Sequence, residues 1–247
     1  MAAPALTPSR AEAPDGPPHR SVATLVRLVV TTCLAVGAVL TVVSIWTMPD
    51  FSGDHVDRLL AVADAGGSGT VSALAWVSAQ LLVGTGLLGV AHLLRSRAPV
   101  LAVVAGLLLG LQAFGHAVYG GVNLVMLSMA RDTEAVEVHA AVLADVEGGV
   151  GIPFMALGLL GTVLGMLVLA VALWRGRLGP RWLGPTVAVW VVLEFAGGAV
   201  SSWSGYASAL LYLAVLGTLS LVVHRSSVGH WQTAVEAAER AEVEAPA

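Results

Sequence analysis

The chain of 247 residues has no lysine, a single cysteine and few charges of either sign. Charged residues make up 11% of it, against about 25% in soluble domains, while 57% of the residues are hydrophobic. This scarcity of charge excludes an ordinary soluble domain and indicates an integral membrane protein. The lone cysteine, Cys33, excludes an intramolecular disulfide and a metal cluster held by cysteines.

Short motifs of well-known chemistry are missing as well. The sequence has no P-loop, no glycine-rich dinucleotide fingerprint, no His-Glu-x-x-His and no Gly-x-Ser-x-Gly. It also has no basic patch, so we expect no nucleic-acid partner. The absence of lysine, together with the bias towards Ala, Val, Leu, Gly and Arg, indicates a GC-rich bacterial genome. We therefore expect the protein in a bacterial cytoplasmic membrane.

Six apolar segments come close to the about 20 residues that an α-helix needs to cross a bilayer. The fifth is weakened in its second half by Gly197-Gly198 and Ser201-Ser202. The sequence therefore predicts an all-α fold, a polytopic helical membrane protein with a six-transmembrane-helix bundle. The predicted spans are 24–48, 71–94, 99–129, 150–174, 182–203 and 206–224.

The two ends of the chain differ from the region between them. Residues 1–22 carry five prolines among small and polar residues, which predicts a disordered cytoplasmic tail. Residues 226–247 carry four glutamates and are predicted to be a cytoplasmic C-terminal tail. Residues 23–225 are predicted to form one six-helix membrane domain.

The arginines orient the predicted spans. Ten of the twelve fall in the termini, at the start of the first span or in the loops after the second and fourth spans, whereas Arg58 and Arg131 fall in the remaining long loops. Because cytoplasmic loops carry the excess of basic residues, both termini are expected in the cytoplasm. The loops 49–70 and 130–149, which hold nine acidic residues, are then expected on the outer side.

Each outer loop is predicted to contain a short extracytoplasmic amphipathic helix that lies on the membrane surface or covers the bundle. The first has Asp54 as a candidate N-cap and an apolar face formed by Val56, Leu59, Leu60 and Ala63. The second has an apolar side formed by Val138, Val142 and Val146. The segments 62–67 and 143–149 resemble each other, which indicates duplication of a helical hairpin or a chance match in a sequence rich in Ala, Val and Gly.

Polar side chains occupy the middle of three predicted spans. In the third span four of them share a sector about 60° wide, since residues advance by about 100° each. Glu194 is the only acidic residue in the middle of any span, and Gln80 lies at mid-depth in the second. Because lipid offers polar groups no partner, these side chains are expected to face protein, water or a ligand. The four residues of the third span are Gln112, His116, Tyr119 and Asn123.

From their depths, we predict that Gln80, Gln112, His116 and Glu194 converge on one layer halfway through the membrane. One interpretation is a binding site for a proton, an ion or a small polar ligand, to which Tyr119 and Asn123 also belong. The other is a set of structural hydrogen bonds between helices, which we favour for the two glutamines. Glu194 favours a function, because a structural hydrogen bond does not require an ionisable group.

Three functions remain open. The leading hypothesis is a non-enzymatic, small transporter-like or accessory subunit that works as a homo-oligomer or beside a membrane partner. The second is an intramembrane enzyme acting on a lipid or isoprenoid, with Glu194 as the catalytic acid and His116 as the base; the lack of a second buried carboxylate counts against it. The third is a structural or assembly protein without a ligand.

No cofactor is expected. His92 and His224 lie at the cytoplasmic ends of their spans, where they could ligate haem, but we favour interfacial histidines that contact water and headgroups. His55 and His139 lie among outer carboxylates without the spacing of a metal site, so no metal is expected there.

Two further patterns concern helix packing and anchoring. Gly106 and Gly110, in Gly-x-x-x-Gly spacing, are expected to let another helix approach closely, as are the glycines within 84–89 and 158–165. Tryptophans near the predicted span ends are interpreted as interfacial anchors. They are Trp46, Trp76, Trp174, Trp182, Trp203 and Trp231.

Overall fold

In a computed structural model, the described residues are 19–201 and 203–232, and all of their regular structure is helical. The predicted all-α fold is confirmed. Most of the two predicted tails, residues 1–18 and 233–247, lies outside the described residues. The α-helices are α1 (His19–Thr47), α2 (His55–Ala65), α3 (Gly67–Leu94), α4 (Pro99–Met129), α5 (Val136–Gly148), α6 (Ile152–Gly176), α7 (Leu183–Ala196) and α8 (Ser204–His224).

Five of these helices, α1, α3, α4, α6 and α8, are long and apolar enough to cross a membrane. They correspond to five of the six predicted spans. The predicted span 182–203 is only partly helical, because α7 has 14 residues and gives way to a 3₁₀ turn at Gly197–Ala199. Glycines favour the end of a helix, and Gly197 lies so close to Ser204 that a Cβ on it would sit 2.8 Å from the serine Cβ.

The six apolar helices form a closed ring. Each packs against the next in the order α1, α3, α4, α6, α7 and α8, and α8 returns to α1. We name the two ends of this ring by their loops. The arginine-rich end holds the connections 95–98 and 177–182, and the acidic end holds α2 and α5.

The apolar core fills the half of the ring nearer the arginine-rich end. Its fully buried side chains include Leu94 of α3, Leu169 of α6 and Leu219 of α8. Each of these lies near the arginine-rich terminus of its helix, so the ring is closed by side chains on that side. Two cavities, described below, lie between this core and the acidic end.

Helices α4 and α6 approach backbone to backbone. A Cβ placed on Gly115 would lie 2.3 Å from the backbone nitrogen of Gly158, and one on Gly161 would lie 2.7 Å from that of Gln112. This contact confirms the close approach predicted for the glycines of α6. The prediction for Gly106 and Gly110 is wrong, since a Cβ on Gly106 would make ordinary contacts and one on Gly110 would meet no atom within 4 Å.

The two predicted short helices cover the acidic end of the bundle. Helix α2 begins with the predicted cap, because the Asp54 carboxylate accepts hydrogen bonds from two backbone N–H groups of the first turn. Leu59 and Val62 of α2 are buried in a cluster with Leu143 of α5 and Met126 of α4. The two helices thus pack on each other and on the bundle.

The apolar side predicted for α5 is wrong. Val138 and Val142 are 66% and 44% exposed, whereas Ala140 and Leu143 are buried. The neighbouring α2 decides this orientation, since Leu143 packs into the α2 cluster and turns the valines outward.

Candidate functional site

The ring encloses a cavity of about 150 Å³, to which all six apolar helices contribute. We call it the central chamber. It lies near the middle of the bundle, since Gln80 is about 20 Å from either end of α3 at 1.5 Å rise per residue. Its lining residues are Thr41, Ile45, Trp76, Gln80, Val83, Gln112, His116, Thr162, Trp190, Glu194, Phe195, Ala209 and Tyr212.

The structure places four of the predicted site residues around this one chamber: Gln80, Gln112, His116 and Glu194. The close packing of α4 on α6 positions two of them, because it brings one turn of α4 directly against Thr162. Tyr119 and Asn123, from the same polar face of α4, do not line the chamber. They line a second cavity nearer the acidic end.

The two glutamines are joined across α3 and α4. Gln112 Nε2 donates a hydrogen bond to Gln80 Oε1 at 3.2 Å, and both residues are buried. The other oxygen of this pair, Gln112 Oε1, has no hydrogen-bond partner among the described residues. The pair therefore ties two helices together and still leaves one buried acceptor at the chamber.

His116 is held by Thr162 of α6. The His116 Nε2 lies 3.0 Å from Thr162 Oγ1, and this hydroxyl donates its own proton to the Gly158 carbonyl at 2.7 Å. Because a hydroxyl has one proton to donate, we assign the proton of the His116 contact to Nε2. Nδ1 is then the ring nitrogen that can accept a hydrogen bond or a proton.

Glu194 makes its hydrogen bond within the α7–α8 pair. The Ser208 hydroxyl donates to Glu194 Oε2. No hydrogen bond or ion pair joins Glu194 to His116 among the described contacts, so they face the same chamber without a direct contact. Glu194 also keeps an exposed side chain, while Gln80 and Gln112 are buried. The chamber therefore opens on its Glu194 side.

Aromatic side chains form much of the remaining wall. Trp190 stacks on Tyr212 with ring centroids 4.5 Å apart and meets Phe195 edge-on at 6.5 Å. Trp76 meets the His116 ring edge-on at 5.6 Å. The indole N–H groups of Trp76 and Trp190 are buried and have no hydrogen-bond partner within the described chain.

Sequence reasoning missed most of these wall residues. Trp76 was interpreted as an interfacial anchor, and Thr162, Trp190 and Tyr212 were not singled out. A signal was present in the spacing, because several wall residues recur four positions apart and so share a helix face. These pairs are Thr41 and Ile45, Trp76 and Gln80, Gln112 and His116, and Trp190 and Glu194.

The second cavity measures about 160 Å³ and lies between α1, α2, α3 and α4. We call it the acidic-end cavity. Its polar lining includes Arg58, Tyr119 and Asn123. Trp76 lines both this cavity and the central chamber, so its indole forms the boundary between them.

A group of polar side chains around Glu147 holds the acidic end together. Arg58 of α2 donates two hydrogen bonds of 2.9 Å to the Glu147 carboxylate of α5. The Tyr119 hydroxyl of α4 donates to it at 3.1 Å, and His55 Nε2 lies 3.2 Å away. We call these four residues the Glu147 clamp. Burial alone would raise the pKa of Glu147, but the hydrogen bonds and charge of Arg58 outweigh burial and lower it.

No metal site is found within residues 19–201 and 203–232, where no three His, Cys, Asp or Glu side chains are grouped to hold an ion. His139 pairs with Asp132 at 3.7 Å, and His55 belongs to the Glu147 clamp.

His92 and His224, the two histidines considered as haem ligands, lie in different environments. His92 stacks on the buried Trp231 at 5.5 Å, and its ring nitrogens lie against Arg95 at 2.8 Å and the His230 carbonyl at 3.3 Å. His224 is exposed. Trp231 is thus a packing residue rather than the anchor that its position suggested.

Comparison of the chain with models of protein families, with curated proteins and with solved structures finds no match. A functional argument therefore depends on the chemistry of the chamber itself.

Proposed function

We propose that this integral membrane protein is a small transporter-like protein, or the accessory subunit of one, that binds a small polar solute in the central chamber. The observation that carries the proposal is a set of buried polar atoms, on side chains that line the chamber, which have no hydrogen-bond partner among the described residues. They are Gln112 Oε1, Trp76 Nε1 and Trp190 Nε1.

These atoms are costly in a scaffold that has no ligand. A buried donor or acceptor that lacks a hydrogen bond costs about 1–3 kcal/mol, and Gln112 and Trp190 are only 4% and 6% exposed. Leucine or phenylalanine in their place would avoid that cost. A polar solute or a bound water that reaches these atoms would supply the missing partners.

The shape of the ring supports access from the acidic end. The apolar core closes the chamber towards the arginine-rich end. In the other direction α7 ends at Ala196, two residues after Glu194, so this wall of the ring is short. The arginine distribution predicts that the acidic end lies on the outer side of the membrane, and a solute would then arrive from that side.

An acid–base enzyme has less support. Glu194 is bound by Ser208, and His116 by Thr162, so the two ionisable side chains are held by different helices. The chamber holds them apart rather than as a paired acid and base. We therefore favour binding over catalysis.

Cysteine labelling tests whether the chamber admits polar solutes. Cys33→Ala removes the only thiol, after which Thr41→Cys places one in the chamber and Leu111→Cys places one on the outer face of α4, beside Gln112 in sequence. A neutral, hydrophilic methanethiosulfonate reagent is added to the protein in lipid nanodiscs. The thiolate is the reactive form, and apolar surroundings such as lipid suppress its formation. The cysteine at position 41 is therefore expected to react about ten-fold faster or more than the lipid-facing cysteine at position 111. Equal, slow reaction of both would overturn the proposal.

A further inference from the structure

We propose that the central chamber is a binding site for a small organic cation, an ammonium or quaternary ammonium compound that carries a hydroxyl group. This inference depends on the proposed function and specifies the class of solute. It is carried by three features of the residues that line one cavity: a carboxylate without a cationic partner among the described residues, aromatic rings, and buried polar atoms without hydrogen-bond partners.

The size of the chamber limits the ligand. A cavity of about 150 Å³ is well below the roughly 300–1,000 Å³ of sites for drug-sized molecules. An apolar cavity of about this volume holds benzene. The solute therefore has fewer than about ten non-hydrogen atoms, as in choline or ethanolamine.

The carboxylate of Glu194 favours a cationic ligand in the chamber. Glu194 is the only acidic residue of its lining, and no arginine belongs to the lining. Its hydrogen-bond partner, Ser208, is neutral. A carboxylate inside a membrane bundle is normally paired or wet, and the described residues supply no cationic partner. A bound cation would neutralise it.

The aromatic wall suits an organic cation better than a metal ion. Trp190, Tyr212, Phe195 and Trp76 line the chamber together with Glu194. Faces of aromatic rings attract ammonium groups, most strongly those of tryptophan, and cages of such rings recognise quaternary ammonium ligands. Small inorganic cations instead require several oxygen ligands, and the lining has few.

The unpartnered polar atoms indicate a hydroxyl on the ligand. The indole N–H groups of Trp76 and Trp190 need an acceptor, and Gln112 Oε1 needs a donor. A hydroxyl oxygen both accepts and donates, so one hydroxyl can satisfy either kind of group.

The acidic end would also concentrate cations. The loops 49–70 and 130–149 hold nine acidic residues and two arginines. A surface of one sign raises the local concentration of solutes of the opposite sign. This field acts at the end where the wall formed by α7 is short.

Charged thiol reagents provide the test. The Cys33→Ala, Thr41→Cys protein in phosphatidylglycerol nanodiscs is treated with a trimethylammonium methanethiosulfonate or with a sulfonate analogue of similar size. Each rate is divided by the rate of that reagent with a free thiol in solution. The cationic reagent is expected to react about ten-fold faster or more, since a nearby unit charge in a partly desolvated site is worth at least that factor. Glu194→Gln should remove most of this preference and leave only the part that the acidic loops and the anionic lipid contribute. Asp64→Asn, on the exposed side of α2, should change the preference little.

Protection of the chamber cysteine by a competing ligand gives a second test, in which no charged residue of the chamber is replaced. Choline should slow labelling by the neutral reagent, and 3,3-dimethyl-1-butanol, its uncharged analogue, should not. Phosphatidylcholine nanodiscs separate the two sources of this chemistry. Protection without added choline would assign the site to a lipid headgroup. Because the choline of that headgroup is esterified, this result would overturn the requirement for a hydroxyl group. Protection only by added choline would assign the site to a free solute.

The outcomes separate this inference from the proposed function. If the chamber cysteine reacts with the neutral reagent but shows no preference for the cation and no protection by choline, the cation site is wrong and a polar chamber remains. If the chamber cysteine reacts no faster than Leu111→Cys with any reagent, both proposals are wrong.

Discussion

The central residue of this account is Glu194, the one acidic side chain in the middle of an apolar helix. It faces the same chamber as His116 and both glutamines, yet the only hydrogen bond that it makes within the described part of the chain comes from a neutral serine. A membrane protein selected only for stability would have no reason to keep a carboxylate there. Glu194 is therefore better explained by what the chamber binds than by what holds the bundle together.

Glu194→Gln should leave the stability of the ligand-free protein unchanged or raise it. The amide removes the cost of a charged group and still accepts the hydrogen bond from Ser208. The midpoint of thermal unfolding in detergent measures this, with the ligand absent. A clear loss of stability, above about 1 kcal/mol, would show that the carboxylate is a structural contact.

The sequence predicts the site best at polar and ionisable residues, which are rare within apolar segments. An acid, a histidine and two glutamines stand out in a chain of which 57% is hydrophobic. The tryptophans did not stand out, because an aromatic residue is equally typical of an interface. That Trp190 and Trp76 line a common cavity becomes visible only when the six helices are packed together.

Among the elements, the pair α4 and α6 shows how backbone packing positions the site. Gly115, Gly158 and Gly161 remove the side chains that would separate the helices. The resulting contact brings His116 within hydrogen-bond distance of Thr162.

Gly161→Ala is expected to destabilise the protein by about 1–3 kcal/mol, since the added carbon would lie 2.7 Å from the backbone of Gln112. The same change at Gly110 is the matched control. No atom lies within 4 Å of that position, so alanine there should be neutral or slightly stabilising. Unfolding in detergent would report both. Equal effects of the two substitutions would contradict the packing described for α4 and α6.

The Glu147 clamp links three elements at the acidic end and depends on pH. Because the pKa of Glu147 is lowered in the folded protein, the clamp contributes its full stability above the ordinary carboxyl range. That contribution is lost as the pH falls below about 4. Hydrogen exchange of the α2 backbone should therefore accelerate in acid.

Glu147→Gln should produce the same faster exchange of α2 already at neutral pH, with a loss of about 1–3 kcal/mol in local stability. Asp145→Asn is its control, since that exposed acid lies on the same helix outside the clamp. Unchanged protection of α2 in the Glu147 variant would show that apolar packing alone holds the helix.

The sequence predicts the bounds and orientation of some helices better than those of others. The bounds of α4 match the predicted span 99–129, because apolar periodicity and the starting proline are both local signals. The length of α7 and the orientation of α5 were not predictable in this way. The first depends on the contact of Gly197 with Ser204 and the second on the α2 cluster.

The hairpin duplication also concerns elements, and it stays a prediction. Helix α2 connects the packed pair α1 and α3, and α5 connects the packed pair α4 and α6. Val62 and Leu143, at matching places in the two similar segments, are buried in one cluster. This arrangement agrees with two related hairpins that differ in their surroundings.

At the scale of the whole molecule, the ring is filled by side chains towards the arginine-rich end and contains two cavities towards the acidic end, which α2 and α5 cover. Local periodicity predicts helices but not their order around a ring, so neither the chamber nor its open side could be derived from the sequence. The distribution of arginines predicts the orientation in the membrane, with the acidic end on the outer side.

The predicted orientation in the membrane can be tested in the Cys33→Ala protein, which has no thiol. Asp64→Cys and Arg177→Cys place thiols at the two ends of the bundle. In intact cells, a membrane-impermeant reagent should label the cysteine at position 64 and spare the one at position 177, because the latter is expected in the cytoplasm. The reverse pattern would invert the topology and the direction of solute access.

The most direct measurement of the central claim is a density map of the protein in lipid nanodiscs that shows bound water and small solutes. The account predicts density inside the ring, within hydrogen-bond distance of Gln112 Oε1 or the Trp190 indole nitrogen, with Glu194 facing it. A collapsed interior, or a Glu194 side chain turned outward to the lipid, would contradict it.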